Sequence, residues 1–176
     1  MNLTLKRTPG IYLVGFMACG KTTIGRLLAE RLGWQFADMD QDIEALQGIS
    51  IADIFEKNGE QEFRRIETEA IRARVHSIER GEATVVAMGG GAFVQPVNLD
   101  LLSNRGISIW LDCSFETLQR RVLETTHRPL ARDMRRFEEL YRSRLAAYGR
   151  ADYRILIQND DPSAAVETIM ALPLFA

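Results

Sequence analysis

Apolar residues along this chain gather in short unbroken runs: IYLVG, WQFAD, ATVVAM, ISIWLD and YRILIQ. Each run is followed by a longer stretch in which apolar positions recur every three or four residues. Runs of that length predict buried strands, and the stretches between them predict amphipathic helices. Their alternation predicts an α/β fold, a parallel sheet of five strands with helices on both faces in three layers. The first helix should run from about Lys21 to Leu32 and stop at Gly33, a common C-terminal signal. The longest should run from about Glu60 to Arg80, with Phe63, Ile66, Ala70 and Ile71 on one side, and end at Gly81. No linker rich in Pro, Gly or Ser interrupts the pattern, so residues 1–176 are expected to form one domain.

Composition changes this picture little. With 46% hydrophobic and 26% charged residues and a net charge of -2, the chain reads as an ordinary globular protein without the basic field that a nucleic acid would need. No run reaches the length of a membrane-spanning helix. Lys6 and Arg7 ahead of IYLVGFMACG imitate a secretory signal, but cleavage there would destroy the glycine loop, so the run is read as a strand. Cys19 and Cys113 lack metal-type spacing and suggest a reduced, cytoplasmic protein. A monomer is expected, since no exposed apolar stripe is evident. Among 22 basic residues only Lys6, Lys21 and Lys57 are lysine; the rest are arginine, which grips carboxylate and phosphate with two parallel bonds.

The chemistry gathers at the ends of the strand runs. GFMACGKT fits G-x-x-x-x-G-K-[ST] at Gly15, Gly20, Lys21 and Thr22, between a strand and a helix. Such a loop converges backbone N–H groups of Ala18, Cys19, Gly20, Thr22 and Thr23 on phosphate oxygens at the positive end of a helix. Lys21 would reach the terminal phosphates and Thr22 would offer its hydroxyl to Mg²⁺. Cys19, at that helix end, is a candidate for thiol reactivity without a catalytic role. In DMD, Asp38 and Asp40 follow the second strand, and alternation along an extended segment would aim both carboxylates the same way. One could assist Mg²⁺ while the other faces a substrate hydroxyl, or Asp40 could simply cap the next helix. FRRIE puts Arg64 and Glu67 three apart on a helix, either as an anion clamp with its brace or as a surface ion pair. Three successive glycines, Gly89, Gly90 and Gly91, cost backbone entropy and imply close approach by a ligand or positive φ. HRPLAR, around Arg128, reads as a basic segment able to close over a bound nucleotide; Arg120, Arg121 and Arg132 could serve similarly, and His76 and His127 are incidental.

In order, the blocks GFMACGKTT, DMD, IADIFEKNGEQEFRRIE, GGG, HRPL and RLAAY resemble the shikimate kinase family of P-loop enzymes over nearly the whole length, Ile11 to about Leu172. The resemblance implies a P-loop NTPase-type fold and ATP-dependent, Mg²⁺-assisted phosphorylation of shikimate at its 3-hydroxyl, in aromatic amino-acid biosynthesis. It assigns Lys21 to the phosphates, Thr22 and Asp38 to Mg²⁺, and Asp40 to the substrate hydroxyls. It gives Arg64 and Arg144 to the substrate carboxylate, Glu67 to bracing that site, the backbone of Gly89 to Gly91 to substrate contact, and Phe55 and Phe63 to one wall. Arg121 would flank adenine, Arg128 would be the arginine of a mobile lid at about 125–133, and the substrate segment would span about 40–70. Ala18 departs from a family glycine, Ala146 from a frequent proline, and the region of Pro162 has no basic neighbour. Gluconate-type and nucleoside-monophosphate kinases, and a nucleotide-binding regulatory module without transfer, are the rival readings.

Overall fold

The computed structural model describes residues 10–125 and 133–175. Five strands form one sheet: β1 (Gly10–Val14), β2 (Gln35–Asp38), β3 (Thr84–Ala87), β4 (Ile107–Cys113) and β5 (Tyr153–Ile157). All neighbours pair in parallel in the order β2-β3-β1-β4-β5, with Leu13 opposite Ala87 on one side and Ile109 on the other. The central strands β1 and β3 are buried along their whole length, as continuous apolar runs between two helical layers require.

Among the described residues seven α-helices cover the sheet: α1 (Lys21–Leu32), α2 (Met39–Gln47), α3 (Ile51–Glu79), α4 (Pro96–Leu102), α5 (Phe115–Glu124), α6 (Met134–Tyr148) and α7 (Pro162–Met170). The chain first steps outward from β1 to β2, then returns through β3 to β4 and β5. Right-handed crossovers therefore put α1 on one face and α2 to α6 on the other. The packing follows that division, with α7 against α1, α3 against α2 and α4, and α5 against α6.

The helix expected from about Glu60 is the second arm of α3. Its first arm starts at Ile51, with the Ser50 hydroxyl accepting from Asp53 N at 3.1 Å, and the arms meet at a kink where Gly59 takes φ 81°. Periodicity alone hid that first arm because the turn at Asn58-Gly59 interrupts the apolar stripe. The direction of winding reverses between β1 and β3. In parallel sheets the crevice outside the carboxyl ends of two such strands is where ligands bind. The phosphate-type loop leaves β1 there and the triglycine leaves β3.

Candidate active site

The loop after β1 is shaped for a phosphate. Gly20 caps α1 at φ 102° with no side chain bonded to the helix end, so the first N–H groups of α1 point outward. Ala18 sits at φ 66°, a left-handed conformation that suits glycine better than alanine. Lys21 Nζ donates to the carbonyls of Gly15 at 2.8 Å and Phe16 at 2.9 Å, which holds the ammonium in the mouth of the loop. Thr22 Oγ1 donates to Asp38 Oδ2 at 2.6 Å, bringing the two expected metal ligands together.

Alternation does not govern DMD. The strand ends at Asp38, whose Oδ1 accepts from Asp40 N at 3.0 Å and Gln41 N at 3.3 Å and so caps α2. Asp40 thus lies in the first turn of that helix rather than on the strand, and it is Asp38, not Asp40, that caps. The correction separates the two roles: Asp38 faces Thr22, and the Asp40 carboxyl turns to the triglycine. There surrounding protein atoms raise its pKa above the ordinary carboxylate value, helped by Asp38 and opposed by Lys21.

Around the triglycine the crowding is quantitative. A Cβ on Gly89 would stand 2.9 Å from Asp40 Oδ1 and 3.0 Å from Glu67 Oε2. On Gly91 it would stand 2.5 Å from Arg64 Nη2, and on Gly90 3.3 Å from Arg144 Nη1. Close approach, not positive φ, is what these glycines supply, since none of the three has positive φ. Four charged side chains from three helices therefore converge on a backbone that presents no side chain of its own.

Arg64 and Glu67 are not a surface pair. Glu67 is 1% exposed, and Arg64 Nη1 donates to its Oε1 at 2.7 Å. Burial raises the Glu67 pKa and the Arg64 charge pulls it back down. Arg64 Nε is buried without a partner among the described residues, an orphan donor in a site that otherwise satisfies its polar groups. The Arg64 guanidinium stands 5.2 Å from the centre of the Phe63 ring, and the Phe63 and Phe55 rings lie 4.6 Å apart. Arg144 lies over the Phe16 ring at 5.5 Å. The α6 segment that holds it continues unbroken through Ala146, so the missing proline leaves no distortion.

On the other side of the loop a cleft of about 460 Å³ runs between Gly20, Thr23, Arg120, Arg121, Asn159 and Pro162. Arg121 Nη1 donates to the Ala18 carbonyl at 2.9 Å, and both Arg120 and Arg121 pair with Asp160 at 2.9 Å. The acid beside Pro162 thus stands where a basic neighbour was sought. Cys19 is buried with Sγ 3.7 Å from Lys21 Nζ, which leaves its thiol poorly accessible to reagents. His76 is exposed on α3. His127, Arg128, Arg132 and most of the 125–133 segment lie outside the described residues.

Two contributors escaped the sequence reading. Asp160 gave no signal beyond its charge. Tyr148 stood in RLAAY without a role, although its i, i+4 spacing from Arg144 on one helix face was the available clue.

A phosphate loop on the first strand of a five-stranded parallel sheet, with a paired hydroxyl and carboxylate beside it and two arginines gathered over a bare glycine loop across the switch point, defines a P-loop small-molecule kinase. Comparison with known proteins narrows the class. The shikimate kinase family model matches residues 17–172. A shikimate kinase from a Sulfurihydrogenibium species is 39% identical over 161 residues, covering 91% of this chain and 95% of its own. The crystal structure of shikimate kinase from Aquifex aeolicus is 33% identical, with a TM-score of 0.80 over 92% of this chain and 94% of that one. That of shikimate kinase from Acinetobacter baumannii in complex with shikimate is 36% identical, with a TM-score of 0.86 over 97% of this chain and 95% of that one. The chain belongs to the shikimate kinase family.

Proposed function

We infer that this chain transfers the γ-phosphoryl group of ATP to the 3-hydroxyl of shikimate, the step that belongs to aromatic amino-acid biosynthesis, and that the residues around the triglycine form its acceptor site. The observation that carries the reading is the buried, orphan Nε of Arg64, set beside Arg144 above a backbone stripped of side chains. Two guanidinium groups with a free donor suit a small carboxylated polyol, and Phe55 and Phe63 suit its ring face. Gluconate carries a carboxylate too, but as an open chain it offers no ring face to Phe55 and Phe63.

Phosphoryl transfer of this kind is mostly positioning and charge stabilisation, because its transition state is loose. Asp40 orients the acceptor hydroxyl and takes its proton late; a raised pKa suits that role better than an ordinary carboxylate would. Lys21 swings from the Gly15 and Phe16 carbonyls to the terminal phosphates. Arg128, on the HRPL motif, supplies the further cation. Arg121 flanks the base in the neighbouring cleft. The Thr22 hydroxyl and Asp38 carboxylate are hard oxygen donors 2.6 Å apart, a pair that would hold Mg²⁺ beside the phosphate loop. The ion, when bound, neutralises charge on the β- and γ-phosphates. One chain carries every contact in this reading, so a monomer suffices, and its two free buried cysteines suit a reducing cytoplasm.

ADP release with ATP and Mg²⁺, measured against shikimate, quinate, gluconate and AMP, tests the reading, with Asp40→Asn and Arg64→Ala beside the parent. Shikimate-dependent turnover, lost in Asp40→Asn and weakened mainly in shikimate KM in Arg64→Ala, is the expected result. Turnover with gluconate or AMP instead would overturn the substrate.

A further inference from the structure

The three carbonyls of the triglycine are satisfied differently. Gly89 O accepts from Ala92 N at 3.1 Å and Gly91 O from Val94 N at 3.3 Å, both inside the local turn. Gly90 O has no such backbone donor among the described residues; it accepts from the Tyr148 hydroxyl at 2.5 Å. That hydroxyl comes from α6, 58 residues further along the chain, and its ring is 1% exposed against Trp110 at 6.0 Å.

Arg144 stands one helical turn back on the same helix, at i, i+4 from Tyr148. The Arg144 Nη1 in turn lies within 3.3 Å of where a Gly90 side chain would begin. Tyr148 thus holds, through its hydroxyl, the loop residue against which the Arg144 guanidinium rests.

We propose that Tyr148 is a positioning residue of the acceptor site: its hydroxyl, bonded to Gly90 O, fixes the backbone against which the Arg144 guanidinium rests, keeps that guanidinium aimed at the acceptor's carboxylate and thereby sets the preference for carboxylated acceptors. The proposal rests on the reading of Arg64 and Arg144 as the carboxylate clamp. Tyr148→Phe keeps the ring and its packing on Trp110 and removes only the hydroxyl. Its direct effect falls on the loop residue beside Arg144; the nucleotide cleft lies across the phosphate loop.

The test is a steady-state comparison of the parent, Tyr148→Phe, Arg144→Ala, the double variant and Trp110→Phe. Each is assayed with shikimate and with the analogue carrying a hydroxymethyl group in place of the carboxylate, and each is checked by a thermal melt. Tyr148→Phe is expected to raise shikimate KM roughly 3- to 12-fold, the loss of one hydrogen bond between neutral groups, with kcat and ATP KM within about twofold. KM for the neutral analogue should stay near the parent value, so the preference for the carboxylate shrinks. The double variant should bind shikimate no worse than Arg144→Ala alone, because the hydroxyl acts through that arginine. Trp110→Phe, which loosens packing without touching the hydroxyl, should leave the preference intact. An equal rise for both acceptors in Tyr148→Phe, or full additivity with Arg144→Ala, would overturn the proposal. If Arg144→Ala raises shikimate KM and Tyr148→Phe does not, the proposal alone fails. If Arg144→Ala has no effect on shikimate KM, the clamp itself fails.

Discussion

Gly91→Ala isolates the geometry of the acceptor site from the stability of the fold. Gly91 has φ -100° and ψ -5°, a conformation open to any L-residue, so the new methyl group imposes no backbone strain. It would stand 2.5 Å from Arg64 Nη2, 2.9 Å from Nη1 and 3.0 Å from Cζ. An ordinary contact is about 3.5 Å, so the guanidinium must retreat by about 1 Å. Arg64 is 19% exposed and flexible enough to do so, but its Nη1–Glu67 bond of 2.7 Å and its aim at the acceptor do not survive the shift unchanged. A charge-assisted hydrogen bond is worth ~1.5–3 kcal/mol, which corresponds to roughly 10- to 150-fold in shikimate KM. Stability should change little. Alanine at a compatible position gains ~0.4–1 kcal/mol by restricting the unfolded chain, which offsets part of the cost of a weakened Arg64–Glu67 pair. Steady-state kinetics with shikimate and ATP varied separately, alongside a thermal melt, read both quantities. A shikimate KM within twofold of the parent, or an equal rise in ATP KM, would refute the claim that the glycine is there to make room for Arg64.

Two further variants probe charge and strain. Glu67 has a raised pKa, so the folded protein holds its proton more readily than the unfolded chain does. The stability this contributes is fully present below the unfolded value near ~4.3 and is lost as pH rises through the folded one. In Glu67→Gln that dependence disappears, and the Tm difference, variant minus parent, should become more positive as pH rises from the unfolded value toward the folded one and then level off; a flat or opposite trend measured by calorimetry would contradict the assignment. Ala18→Gly relieves a left-handed alanine worth ~1–2 kcal/mol, less ~0.4–1 kcal/mol of added unfolded-chain entropy. The expected net gain raises Tm by about 1–4 °C and leaves ATP KM within about twofold, because Arg121 bonds the backbone carbonyl that glycine retains. A lower Tm would show that the loop does not carry this strain.

The local features of this protein were legible in its sequence because they depend on neighbours along the chain. Five apolar runs gave five strands, Gly33 ended α1, and the strand–loop–helix setting of GFMACGKT gave a loop whose Lys21 and Thr22 sit as that setting requires. The ordered blocks from DMD to RLAAY were enough to resemble one family. What depended on distance in space was not legible. Alternation predicted two carboxylates side by side, but the Asp38 side chain captured the first N–H groups of α2 and turned Asp40 into another environment. Whether Arg64 and Glu67 formed a surface pair was decided by the sheet: only the order β2-β3-β1 brings the buried face of α3 against the triglycine after β3. The bond from Tyr148 to Gly90 spans 58 residues and has no periodicity to announce it. Hydrophobic pattern and turn chemistry fix which elements form, since their energies are set within a few residues. The meeting of three helices over a bare loop is fixed by strand order and crossover handedness, which no single segment encodes.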